Sequence, residues 1–120
     1  MIIWSRRMRK VISLLLLASV SFLFLGTTPA LAGEHDRGAK IFSAHCAACH
    51  IGGGNIILAH KTLNKQTLQK YSMDSVDAIA YQIKYGKKAM PAFKGRLNDL
   101  QIEEVSAYVL EQAARGWQLW

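Results

Sequence analysis

Two cysteines and a histidine fall within five residues, Cys46-Ala47-Ala48-Cys49-His50. On a helix, positions i, i+3 and i+4 share one face, so both thiols and the imidazole point the same way. Two thiols so placed reach two vinyl groups on one edge of a porphyrin, while the imidazole stands beneath its iron and the alanines leave room for the ring. C-x-x-C-H is the attachment signature of a c-type haem. A thioredoxin-type C-x-x-C needs a βαβ context, and no period-two strand pattern occurs in the chain. A zinc site needs four ligands, usually with a second pair at metal spacing, and His35, His45 and His60 offer none.

A six-coordinate electron-transfer haem needs a second axial ligand, and a methionine opposite a histidine raises the potential. Beyond residue 32 the methionines are Met73 and Met90. Met73 falls at an expected helix start and reads as a packing or surface residue. Met90 precedes Pro91, which stiffens its segment and keeps it out of helical geometry. His50 and Met90 are therefore the expected iron ligands, and Cys46 and Cys49 the covalent anchors. With both axial positions filled, no site stays open for oxygen or substrate, which points to electron transfer and away from an enzyme.

The elements that position these residues read as helices joined by polar loops. A first helix is expected from Asp36, as its cap, to about His50, with Ala39, Phe42 and Ser43 on one face. Gly52-Gly53-Gly54-Asn55 ends it. Asn64 caps a short helix to about Tyr71. Asp74 or Ser75 begins another, to about Tyr85, with Val76, Ile79, Ala80 and Ile83 at helical spacing and Gly86 as its stop. Lys87 to Leu97 is a loop carrying Met90-Pro91. Asn98 and Gln101 form a capping-box pair for a last helix that buries Ile102, Val105, Tyr108 and Val109 and ends at Arg115-Gly116-Trp117. The expected fold class is all-α.

The N-terminus has its own pattern. Arg6, Arg7, Arg9 and Lys10 precede an apolar run from Val11 to Leu25, followed by Ala30-Leu31-Ala32. Basic region, apolar region and small-x-small site make a cleaved signal peptide over residues 1–32, and the run is shorter than the roughly 20 residues of a membrane span. Thioether formation occurs on unfolded, exported chain, which favours the general secretory route over the twin-arginine route suggested by Ser5-Arg6-Arg7. Removal of 32 of the 120 residues leaves 88, a domain at 33–120. Of the 15 Lys and Arg, four leave with the leader, so eleven face all eight acids, a balance of +3. Two haem propionates would cancel most of that, and the sequence pI of 9.7 belongs to the precursor. A nucleic-acid partner is thereby excluded. So small a domain buries only a modest core, and two cysteines three apart give no disulfide framework. The cofactor would supply the missing staple.

The chain from Gly33 to Gln118 resembles the cytochrome c6 family, soluble carriers of oxygenic photosynthesis. The resemblance is carried by Gly38-Ala39-Lys40-Ile41-Phe42 before the C-x-x-C-H, Gly52-Gly53-Gly54-Asn55, Lys61-Thr62-Leu63, Ala89-Met90-Pro91-Ala92-Phe93, Gly95-Arg96-Leu97, and Ala107-Tyr108-Val109 with Trp117. Only the apolar end Leu119-Trp120 departs from it. The resemblance implies a class I cytochrome c fold, about four helices around one covalently bound haem c. It implies transient partners, with electrons taken from the cytochrome b6f complex and given to photosystem I in the thylakoid lumen. It also implies that Gln82 lies near the haem and tunes it. A periplasmic donor to a terminal oxidase, with the same demands on size and potential, is the alternative. The carrier is expected to be a monomer, without membrane insertion after cleavage.

Other residues have two readings each. Arg96 is a docking cation or a solvated one. Lys61 and Asn55 hold a propionate or organise their loop. Tyr81, Tyr108 and Trp117 are expected in the core, and His35, His45 and His60 on the surface. The contact surface is expected to be apolar, around Ile51, Ile56, Ile57 and the Met90 loop, with scattered lysines steering weakly.

Overall fold

The computed structural model describes residues 5–24 and 31–118, so the stretch from Leu25 to Ala30 and the tail Leu119-Trp120 lie outside the described residues. The chain divides into two units at Ala30 and Leu31. The first carries helix α1, Arg6–Phe24. No helix among the described residues is long and apolar enough to cross a membrane.

The second unit carries α2 (Leu31–His45), α3 (Ala47–His50), a 3-10 turn (Ile51–Gly53), α4 (Lys65–Lys70), α5 (Val76–Tyr85) and α6 (Asp99–Ala114). No strand occurs among the described residues; two isolated bridges, Lys87 with Met90 and Lys94 with Leu97, pin the loop between α5 and α6. The all-α expectation holds.

Local chemistry sets the helix ends. The Asn64 side chain accepts from Thr67 N at 2.8 Å and the Ser75 side chain from Ala78 N at 3.2 Å, so Ser75 rather than Asp74 caps α5. Asn98 and Gln101 exchange both capping-box bonds, at 2.8 and 3.0 Å. The first helix differs from expectation. It starts at Leu31, so Asp36 is interior and caps nothing: Leu31, Ala32 and Glu34 are good helix formers, and the single Gly33 between them weakens the helix by only about 1 kcal/mol without ending it. It is also interrupted at Cys46, where α2 gives way to α3.

Helix α2 packs mainly on α6, and α5 packs on α6 as well. The core is Phe42, Leu68, Ile79, Ile83, Phe93, Leu97, Ile102, Val105, Val109 and Ala113. Ser43 is exposed: the buried stripe of α2 runs through Gly38 and Phe42, four apart, which turns Ser43 outward. Trp117 packs on Phe42, ring centroids 5.1 Å apart, and its Nε1–H donates to the Leu63 carbonyl at 2.9 Å. Buried Glu104 accepts from Arg37 Nε at 2.5 Å.

Candidate functional site

The five-residue motif forms a tight helical turn. Cys49 N and His50 N both donate to the Cys46 carbonyl, at 3.1 and 2.9 Å, while Cys46 N donates back to Phe42 at 2.9 Å. The motif is thus anchored to the core through α2. Both cysteines are free thiols, Cys46 half-buried and Cys49 exposed. Burial pushes the Cys46 thiol up to about 11, because desolvation disfavours the thiolate.

His50 Nδ1 lies 2.9 Å from the Gly54 carbonyl oxygen. A carbonyl only accepts, so Nδ1 carries the proton, which leaves Nε2 as the nitrogen that would bind a metal. The sequence reading missed this partner because a backbone oxygen leaves no signature; its only trace is the glycine run that folds Gly54 back toward His50.

Met90 sits on the far side of a sharp turn. Gly86 ends α5 at φ +69°, and a Cβ there would lie 2.6 Å from the Met90 carbonyl and 2.7 Å from Ala92 N. Only glycine lets Met90-Pro91-Ala92 lie this close to the end of the helix. Lys87 N and Met90 N then donate to each other's carbonyls, each at 3.0 Å. The Gln82 amide Nε2 lies 3.5 Å from Met90 Sδ. Cys46, Ala47 and Met90 all rest against the same core cluster, so motif and loop are carried by one apolar scaffold. Ile51, Ile56 and Ile57, 72, 66 and 56% exposed, follow the motif.

The other expected residues divide. Met73 packs on the core and Tyr108 is partly buried there. Tyr81 is not a core residue: it is 68% exposed, since Ile79 and Ile83 take the inner face of α5 and leave position 81 outward. His45 and His60 are exposed, but His35 is not a plain surface residue; its Nε2 is buried 4.0 Å from Glu111 Oε2. The Asn55 side chain organises its loop, donating to the Lys61 carbonyl at 3.0 Å and accepting from Ile57 N and Leu58 N. Lys61 lies over the Tyr71 ring, 4.7 Å from its centroid, and Arg96 over Phe93 at 4.9 Å.

Two thiols, an imidazole whose Nε2 is left for a metal, and a thioether beside an amide make a donor set whose chemistry fits a covalently attached porphyrin iron. Known proteins point the same way. A family model described as cytochrome c oxidase, cbb3-type, subunit III, matches residues 33–109. A cytochrome c6 from Thermostichus vulcanus is 59% identical over 96 residues, 79% of this chain and 86% of the relative. One from a Nostoc species is 54% identical over 111 residues, 92% of this chain and all of the relative. Among solved structures, cytochrome c6 of the diatom Phaeodactylum tricornutum superimposes with a TM-score of 0.68 at 48% identity, over 69% of this chain and 98% of the diatom chain.

Proposed function

The chain belongs to the cytochrome c6 family and is a c-type cytochrome, an electron carrier with one covalent haem; from this we propose that it takes electrons from the cytochrome b6f complex and passes them to photosystem I. The haem iron supplies the one-electron chemistry, alternating between ferric and ferrous. Cys46 and Cys49 hold the group through thioethers. His50 and Met90 ligate the iron, and Gln82 lies against the Met90 sulfur. The protein works in the thylakoid lumen after loss of residues 1–32 as a signal peptide.

The observation that carries this reading is the His50 Nδ1 bond to Gly54 at 2.9 Å, which fixes the ring and frees Nε2. Gly86 and the Lys87–Met90 turn do the same for the thioether. With both donors on the iron no axial position is left for oxygen or substrate, and donors held this way change little between oxidation states. Ile51, Ile56 and Ile57 give an apolar contact suited to brief docking, of the kind that buries less than about 1,200 Å².

A second reading, electron donor to a terminal oxidase in the periplasm, is favoured by the oxidase-subunit description of the family model that matches residues 33–109. The two share one site and differ in the acceptor.

A reductive titration of the ferric holoprotein tests the ligation. The weak far-red charge-transfer band of thioether-ligated ferric haem is expected in the native protein and lost in Met90→Ala, with a strongly positive midpoint potential in the native protein. A native protein without the band, or with a potential near or below zero, overturns the ligation and with it the photosynthetic role. Flash-induced reduction of photosystem I and turnover of a terminal oxidase, measured side by side with the native protein, decide the acceptor.

A further inference from the structure

The histidine of the motif takes its orientation from a carbonyl in the most pliable stretch of the domain. His50 Nδ1 donates to Gly54 at 2.9 Å, and Gly54 closes a run of three glycines. Glycine backbone is less restricted than that of any other residue, and Gly52 and Gly53 both stand at positive φ, +59° and +77°. A hydrogen bond anchored on such a run is only as firm as whatever holds the run. Gly54 N donates to the Ile51 carbonyl at 2.9 Å, and Ile56 N to the Cys49 carbonyl at 3.1 Å. Both of these ties stay within residues 49–56.

A further tie comes from the other end of the domain. Gly53 is buried, and a Cβ there would fall inside the Trp117 indole, so the ring sits directly on the Gly53 backbone. Trp117 Nε1–H donates to the Leu63 carbonyl at 2.9 Å, and Leu63 N donates to the Gly53 carbonyl at 2.7 Å. Indole, Leu63 and Gly53 thus close a triangle one residue from the carbonyl that His50 uses. The indole is itself well held. It packs on Phe42 and edge-on against Tyr108, with centroids 5.1 and 6.3 Å away, and Trp117 N donates to the Gln112 carbonyl at 2.9 Å. The Trp117 backbone stands at φ +56°, a conformation that bulky residues rarely take. Such a conformation persists where surrounding contacts over-determine it, and here those are the contacts of the indole.

We propose that Trp117 is a positioning residue for His50: through Gly53 and Leu63 it fixes the Gly54 carbonyl, and so sets the orientation and basicity of the imidazole that the haem iron takes. A carbonyl that accepts firmly from Nδ1–H makes the ring a stronger donor at Nε2, which favours the ferric state and lowers the potential. The proposal rests on the ligation by His50 only for its effect on the potential; the placement of the ring is measured apart from it.

The test is hydrogen exchange at the His50 Nδ1–H, followed by NMR in the ferrous holoprotein beside the amides of Leu63, Val105 and Val109. Trp117→Phe keeps a ring over Gly53 and loses the N–H, and Trp117→Leu loses both. In Trp117→Phe, exchange at His50 Nδ1–H and at Leu63 accelerates about fivefold beyond any change at Val105 and Val109, the worth of one hydrogen bond, and the midpoint potential rises. Trp117→Leu goes further in both; if it does not fold, Trp117→Phe decides alone. Exchange at His50 that only follows Val105 and Val109 makes Trp117 a purely structural residue and overturns the proposal. So does a native potential in the variants when the His50 ring signals carry the paramagnetic shift of a ligand to ferric iron. Ring signals without that shift sink the ligation reading instead, and the exchange comparison still decides the positioning.

Discussion

Substituting Gly38 by alanine sets two opposed effects against each other at the crossing of α2 and α6. An added Cβ would lie 2.5 Å from the Glu104 carbonyl oxygen, 2.7 Å from Tyr108 Cβ and 3.2 Å from the Glu104 carbonyl carbon. Ordinary contact between carbons is about 3.5–4.0 Å, so the helices must part by roughly 1 Å. None of the atoms met is the free end of a side chain: two are backbone and the third is fixed to it. Overpacking of this kind costs about 1–3 kcal/mol. Alanine for glycine inside a helix returns about 1 kcal/mol. With no side-chain end free to give way, the cost falls in the upper half of that range, about 2–3 kcal/mol, so the net expectation is a loss of about 1–2 kcal/mol, a fall in Tm of about 5–15 °C for a domain of this size. Thermal and guanidinium unfolding of the ferric holoprotein, followed by far-ultraviolet circular dichroism, reads it. A Gly38→Ala variant as stable as the native protein, or more so, would mean that helix propensity prevails and that the close crossing does not hold the fold.

Replacing Trp117 by Phe keeps most of the ring packing on Phe42 but strands the Leu63 carbonyl; a loss of about 1–2 kcal/mol in the same unfolding assay is expected. Gln82→Val removes an N–H whose positive end points at the Met90 sulfur, a contact that favours the less charged ferrous state. The midpoint potential is expected to fall by about 40 mV, the equivalent of about 1 kcal/mol, and a rise in potentiometric titration would refute the assignment. The exposed Lys84–Asp99 pair has a definite pH window. Its hydrogen bond raises Lys84 and lowers Asp99, so what it contributes is lost as pH falls through the lowered Asp99 value and again as pH rises through the raised Lys84 value. Lys84→Gln should differ from the native protein only between those limits, and the difference should shrink with salt.

Much of this is readable from residue types because it rests on local chemistry. The caps Asn64, Ser75 and Asn98, the stop at Gly86 and the C-x-x-C-H each announce themselves within a few residues. What escapes such a reading depends on partners distant in sequence or on the backbone. The true start of α2 follows from helix formers upstream of a plausible cap. The burial of Glu104 needs Arg37, 67 positions away. The His50 tautomer is set by a carbonyl that every residue type possesses. Aromatic character alone puts Tyr81 inside, whereas the inner face of α5 is filled by Ile79 and Ile83.

Helix α5 places residues of different surroundings on its different faces. Ile79 and Ile83 face the core and fix its position. Gln82 reaches the Met90 sulfur, and Gly86 lets the Met90 segment lie against the helix end. Tyr81 and Tyr85 face solvent. Because a helix separates neighbouring positions by about 100°, residues 81 and 82 are adjacent in sequence yet one faces solvent and the other the Met90 sulfur. A change at Tyr81 or Tyr85 can then alter the surface while Gln82 and Met90 stay where Ile79 and Ile83 hold them. A change at Ile83 has no such freedom. It would shift the Gln82 amide and the Phe93 segment bonded to the Ile83 carbonyl together, so potential and stability would move at once.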